Sequence, residues 1–247
     1  MPAELKLNEM ARKIKKSSVI PLGVSYDDLE EKYIDLDENP ILTIIGQPKM
    51  GKSTFIRNIV KVIYDKNCIT YAFDSQSFGL RELSSLQGIN YSQTNGEQEK
   101  VYIDEIMQLV QEREDEYNKK LLEENIDSQA YLDSISRVLI VIDNVKDFLS
   151  VIQILEKANI VTIAKKCVSL KINIIASFEQ NGFSELMYAD NFVKKLKEVQ
   201  TGLLFEDIEV QKGFDVTLKY GRKKIQVDKG QAYFIRKGKF ELLRMPE

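Results

Sequence analysis

The chain of 247 residues contains no histidine. That removes imidazole both as a general acid or base near neutral pH and as a metal ligand. Cysteine is nearly as scarce, since Cys68 and Cys167 are the only two and lie far apart. Two distant thiols do not make a disulfide framework. Each reads as a small buried apolar residue in a reducing compartment. No apolar run approaches the ~20 residues that cross a bilayer, and the opening stretch Met1–Lys16 lacks an apolar signal core. Basic charge is not in excess: 35 Lys and Arg stand against 38 Asp and Glu, for a net charge of -3. A nucleic-acid groove needs a local basic surplus, so nucleic acid is not the expected partner. Internal repeats and low-complexity tracts are missing as well.

What is present suits a soluble α/β domain. Hydrophobic residues make up 43% and charged residues 30%, enough apolar surface for one large core. Residues 1–18 are polar, with a basic cluster at Arg12, Lys13, Lys15 and Lys16. They read as a linker or a short amphipathic lead-in helix, ahead of one domain over 19–247. Val19–Val24 is expected to be extended, because Pro21 and Gly23 oppose a helix. Short apolar runs at Ile41–Ile45, Cys68–Phe73, Val138–Ile142, Ile172–Ser177 and Leu203–Phe205 read as buried strands. Between them, Phe55, Ile56, Ile59, Val60, Ile63 and Tyr64 recur at helical spacing across Ser53–Lys66. A long charged helix is expected over Glu97–Glu124, its buried stripe at Val101, Met107, Val110, Tyr117 and Leu121. Strands alternating with helices predict a mainly parallel sheet flanked by helices. The tail departs from that pattern. Gln231–Arg236 and Lys239–Arg244 flank Lys237-Gly238, which predicts a C-terminal β-hairpin closing one edge of the sheet.

The chemistry concentrates at Gly46-Gln47-Pro48-Lys49-Met50-Gly51-Lys52-Ser53, followed by Thr54. This is the G-x-x-x-x-G-K-[ST] spacing of a phosphate-binding loop. The glycines let successive N–H groups converge on one anion, and the helix that starts near Lys52 adds the positive end of its dipole. Lys52 places a cation against the β- and γ-phosphate oxygens, and Ser53 supplies a hydroxyl for Mg²⁺. An apolar strand precedes the loop and an apolar-periodic helix follows it, as the motif requires. Within the loop, Pro48 removes one donor. Lys49 either adds a phosphate contact or faces solvent. Arg137–Ile142 then ends in Asp143, an acid at the tip of a buried strand, which is the Walker B pattern for orienting Mg²⁺. The next residue is Asn144, where an activating glutamate is common. An amide holds a water but cannot accept its proton, and loss of a general base costs on the order of 10²–10⁴ in rate. Lys52 and Asn144 are therefore the candidate catalytic positions. ATP and Mg²⁺ are the expected ligands, and slow or absent hydrolysis the expected behaviour.

Ile20-Pro-Leu-Gly-Val24, the loop at Gly46, Tyr71-Ala-Phe-Asp74 with Leu80 and Leu83, and Asp143-Asn-Val-Lys-Asp-Phe148 together resemble an FtsK/SpoIIIE-type ATPase domain of RecA-like P-loop fold. Order and spacing resemble above all the C-terminal ATPase domain of the EssC/EccC proteins of type VII secretion. The resemblance implies a cytosolic domain of a plasma-membrane protein with tandem ATPase domains. It also implies ring assembly and small helical-hairpin export substrates bearing a WXG motif, whose C-terminal signal the last domain helps recognise. The family's functional positions fall on Gly46, Gly51, Lys52, Ser53, Thr54 and Asp143, while its acidic catalytic position falls on Asn144. An arginine finger is expected in this class but has no assigned position; Arg81, Arg113 and Arg137 are candidates, though each reads first as a surface salt-bridge residue. Ser177 reads as a γ-phosphate sensor or a turn residue, and Asp74 as a site residue or a helix cap. A DNA translocase, a pseudo-ATPase used as an interaction module and, more distantly, a small-molecule kinase are the other readings.

Overall fold

A computed structural model describes residues 6–64, 68–124, 127–218 and 225–246. All its strands join one ten-stranded sheet. In chain order these are β1 (Val19–Ser25), β2 (Glu31–Asp35), β3 (Ile41–Gly46), β4 (Cys68–Asp74), β5 (Ile89–Gln93), β6 (Arg137–Ile142), β7 (Ile172–Phe178), β8 (Thr201–Phe205), β9 (Gln231–Arg236) and β10 (Lys239–Arg244). Across the sheet they run β2-β1-β10-β9-β8-β3-β7-β6-β4-β5. The six strands from β8 to β5 are parallel to one another. From β8 outward through β9, β10, β1 and β2 every pairing is antiparallel.

The parallel strands are covered on both faces, which is why they read as unbroken apolar runs. Alternation still sorts their side chains. Val138, Ile140 and Ile142 of β6 join one core, and Leu139 and Val141 join the other. On the first face lie α3 (Glu97–Lys119), α5 (Val145–Val151), α6 (Ile154–Lys166), α7 (Gln180–Leu186) and α8 (Asn191–Val199). On the second lies α2 (Lys52–Tyr64), which buries Phe55, Ile56, Ile59, Val60 and Ile63 as its periodicity predicts. The side chain of Tyr64 and residues 65–66 of that expected helix lie outside the described residues. A short helix α1 (Leu7–Arg12) precedes β1 and buries Met10 against Val24 and Tyr33, and α4 (Ser128–Ser134) precedes β6.

Three expectations need correction. The C-terminal hairpin forms, with Lys237 and Gly238 both at positive φ (49° and 78°) in the tight turn that suits twisted strands. It does not close an edge, because β1 pairs with β10 and β2 pairs with β1. The true edges are β2 and β5, short polar strands of the sequences EKYID and INYSQ that carry almost no apolar signal. The buried stripe of α3 is Ile103, Ile106, Val110 and Arg113, whereas Val101 and Leu121 are exposed. The helix also loosens into a π-helical turn over Lys120–Glu124, so a single 3.6-residue period does not extend to its end. Arg113 and Arg137 are buried rather than at the surface. Arg113 donates to the carbonyls of Leu170 (2.6 Å) and Ser136 (2.7 Å), and Arg137 to Asn173 and to Asp37 (2.6 Å). Both sit at the starts of the parallel strands, so neither is placed as a finger.

Candidate functional site

The C-terminal ends of parallel strands point at one side of the sheet, where open α/β sheets bind ligands. Here β3, β7, β6 and β4 deliver Gly46, Ser177, Asp143 and Asp74 to that side in adjacent strands. The phosphate loop leaves β3 and turns into α2, whose first residue is Lys52. Gly46 must be glycine for packing: a Cβ there would stand 2.6 Å from the carbonyl oxygen of Phe205 on β8. Gly51 turns the chain at φ 112°, which L side chains rarely adopt. Met50 tucks partly into both cores and pins the middle of the loop, while Gln47, Pro48, Lys49 and Thr54 stay exposed.

Lys52 is buried to 8% exposure, and its ammonium donates to the carbonyls of Gly46 and Gln47, each at 2.8 Å. Burial pulls its pKa below the ordinary lysine value, while the nearby carboxylates of Glu179, Asp143 and Glu206 oppose that shift. The Ser53 hydroxyl donates to Asp143 Oδ2 at 2.9 Å. The Ser177 hydroxyl donates to Asp143 Oδ1 at 2.7 Å and accepts the backbone N–H of Asn144 at 2.9 Å. Ser177 is therefore a buried strand residue bonded to Asp143 and not a turn residue. Asn144 takes left-handed backbone angles (φ 62°, ψ 84°) at the start of α5. Asp74 is fully buried and caps no helix, since the helical turn that follows at Arg81–Ser85 has no side-chain cap. It accepts the N–H of Leu80 at 3.0 Å and the hydroxyl of Tyr91 at 2.8 Å, and burial followed by the neighbouring Asp143 raises its pKa.

These groups surround a cleft of about 520 Å³ lined by Pro48, Lys49, Lys52 and Ser53 on one side and by Asp143, Asn144 and Ser177 on the other. Lys49 is exposed and lines its mouth. The cleft wall also contains residues that the sequence reading passed over: Ser75, Gln76 and Ser77, Asp147, and Glu179. Faint signals existed for two of them. Asp147 stands four residues after Asp143, one helical turn on, and Glu179 follows the tip of β7 directly. Burial, then Glu179 and Asp143, push the Asp147 carboxyl above its ordinary value. Glu206, just past β8, is likewise raised by burial and by Asp207. The cleft thus has one buried ammonium among several carboxylates, and a hydroxyl beside a carboxylate at its base. Hard oxygen donors of this kind suit Mg²⁺, which takes one or two protein ligands and completes its shell with phosphate and water. Among the described residues, no group of three or more His, Cys, Asp or Glu forms a metal cage. No helix among them is long and apolar enough to cross a membrane.

No family model matches the chain. It is 21% identical over 250 residues to the ESX secretion system protein YukB of Bacillus subtilis, covering all of this chain and 16% of YukB. Solved structures similar over its whole length include these two. One is EssC (ATPases 2 and 3) from Geobacillus thermodenitrificans, with a TM-score of 0.83 and 17% identity over 45% of that chain. The other is Thermomonospora curvata EccC (ATPases 2 and 3) in complex with a signal sequence peptide, at 0.76 and 15% over 43%. The chain spans about a sixth of the curated relative and less than half of these structures. What the chain shares with these structures is the fold: its RecA-like α/β sheet is that of the EssC and EccC ATPase domains.

Proposed function

We propose that this chain binds ATP and Mg²⁺ in the cleft between the Gly46–Thr54 loop and Asp143, with slow or no hydrolysis of its own, as one ATPase domain of a type VII secretion motor. The observation that carries the reading is the contact of Ser53 with Asp143, beside a buried Lys52, at the ends of adjacent strands. In this arrangement the loop amides and Lys52 hold the phosphates, and Ser53 and Asp143 hold the metal. Bound Mg²⁺ neutralises phosphate charge. Ser177 fixes the Asp143 carboxylate and the start of α5 at once. Asn144 lines the cleft and can orient a water, but its amide takes no proton from it.

The wider role rests on the relatives. YukB is an ESX secretion protein, and the EccC structure holds a signal sequence peptide beside ATPases 2 and 3. On that basis the chain works next to other ATPase domains of one cytosolic assembly tethered to the plasma membrane. It takes part there in recognising small WXG-motif helical-hairpin substrates and assembles into a ring. Residues 1–18 serve as the lead-in from a preceding domain, and 19–247 form the ATPase unit.

The test is a calorimetric titration of ATP·Mg²⁺ into the purified chain, with phosphate release followed in parallel. Saturable binding is expected, weakened by at least tenfold in Lys52→Ala, because a charge-assisted contact is worth roughly 1.5–3 kcal/mol. Turnover is expected well below about 1 per second, a slow rate for an enzyme. Absence of binding heat, or faster turnover that depends on Asn144, overturns the proposal.

A further inference from the structure

The segment between β4 and Leu80 belongs to no part of the phosphate-loop motif, yet it runs to the metal side of the cleft. Ser75, Gln76 and Ser77 line the cleft wall. The segment is tied down at its far end, where Leu80 donates its N–H to the buried Asp74 carboxylate at 3.0 Å. Between these ties Phe78 adopts left-handed backbone angles (φ 56°) with its ring exposed, lying under the Arg81 guanidinium at 5.9 Å. The next residue is Gly79, and its surroundings are unusual. A Cβ built on it would stand 2.5 Å from Asp143 Oδ2, 2.7 Å from Ser53 Oγ and 2.8 Å from Ser53 Cβ. Any side chain at 79 therefore collides first with the two oxygens assigned to the metal and with the Ser53 carbon beside them. The φ of Gly79 is not in the left-handed region, so backbone freedom does not explain the glycine. Space beside the Ser53–Asp143 pair does.

We propose that Gly79 is a positioning residue for the metal, and that the Ser75–Leu80 segment is the third wall of the Mg²⁺ site, closing it opposite the phosphate loop. The inference rests on the nucleotide-binding reading above. The metal and this segment are then coupled. A metal held by Ser53 and Asp143 fixes the two side chains that Gly79 packs against, and an ordered segment keeps those side chains in register.

The test compares Gly79→Ala with the unchanged chain by titrating a fluorescent ATP analogue in Mg²⁺ and in EDTA. The unchanged chain is expected to bind more tightly in Mg²⁺. In Gly79→Ala that metal-dependent tightening should fall at least tenfold, while affinity in EDTA moves less than threefold. A merely structural role would move both affinities together. As a second measurement, independent of whether the variant folds, hydrogen exchange on the unchanged chain should show amides 76–80 slowed by Mg²⁺·ATP relative to ATP in EDTA. Equal metal-dependent tightening in variant and unchanged chain, or exchange at 76–80 indifferent to Mg²⁺, overturns the inference and leaves the nucleotide-binding proposal standing. Failure of the unchanged chain to bind nucleotide at all removes both.

Discussion

The two ends of the parallel strands handle charge in opposite ways. At their beginnings, the cationic side chains taken out of water are each held by hydrogen bonds. Arg137 bonds Asn173 and Asp37, Arg113 caps two carbonyls, and Lys171 donates to the carbonyls of Leu132 (2.8 Å) and Ile135 (3.0 Å). At their tips, Glu179, Asp143 and Glu206 gather around one buried ammonium, Lys52, and Asp74 and Asp147 lie close enough to Asp143 to be raised by it. The same strands supply both ends, so the difference is not one of fold. The first end raises stability by satisfying what it buries. The other end carries a burial penalty on its carboxylates, which the proposed nucleotide and cation would offset.

Arg137→Ala should break this comparison most visibly. It leaves Asp37 and Asn173 without their shared donor, and removing one partner of a buried charge pair is costly. Because Asp37 is partly exposed, the expected loss is about 2–4 kcal/mol, below the full buried-pair figure. Chemical denaturation measures it, and ATP affinity should stay within about threefold; a large change in affinity would mean that the two ends are not separable. Ser177→Ala probes the other end with a smaller effect. It removes a donor to Asp143 and an acceptor for the Asn144 N–H, for an expected cost of about 1–2 kcal/mol. Unlike Arg137→Ala, it should also weaken Mg²⁺-dependent nucleotide binding.

The smallest effect carries the sharpest sign. Burial works against the Asp37 carboxylate, but its bond to Arg137 leaves it below its ordinary pKa. Its contribution to stability is present above the ordinary aspartate value and is lost as pH falls through the lowered one. Glu206 is raised, first by burial and then by Asp207. It carries a penalty at neutral pH that disappears as pH falls from the raised value to the ordinary one. Without nucleotide, Asp37→Asn should therefore lower the unfolding free energy at pH 7 and Glu206→Gln should raise it, each by up to about 1 kcal/mol. Melting curves between pH 7 and pH 4 should show the Glu206→Gln gain shrinking first. Shifts of the same sign in both variants would dissolve the contrast.

Legibility in the sequence follows the same division. The phosphate loop was readable because its chemistry is local: glycines, a lysine and a serine at fixed spacing between one strand and one helix. The central strands were readable because burial on both faces leaves uninterrupted apolar runs such as Val138–Ile142. The edge strands β2 and β5 were not, since a polar strand with one neighbour looks like a loop in composition. The α3 stripe was misjudged because Arg113 is buried through hydrogen bonds to carbonyls far along the chain, and no periodicity of apolar residues records that.

Sequence alone determined the phosphate loop, the acid at the end of β6 and the replacement of the usual next glutamate by Asn144, because each is a matter of residue type at short range. Only the tertiary structure decided that Ser177 locks Asp143, that Glu179 and Asp147 share the cleft, that the hairpin lies inside the sheet, and that Gly79 leaves room beside the Ser53–Asp143 pair. Those facts depend on which strands become neighbours, and strand order is settled by packing two cores at once rather than by any local stretch of chain.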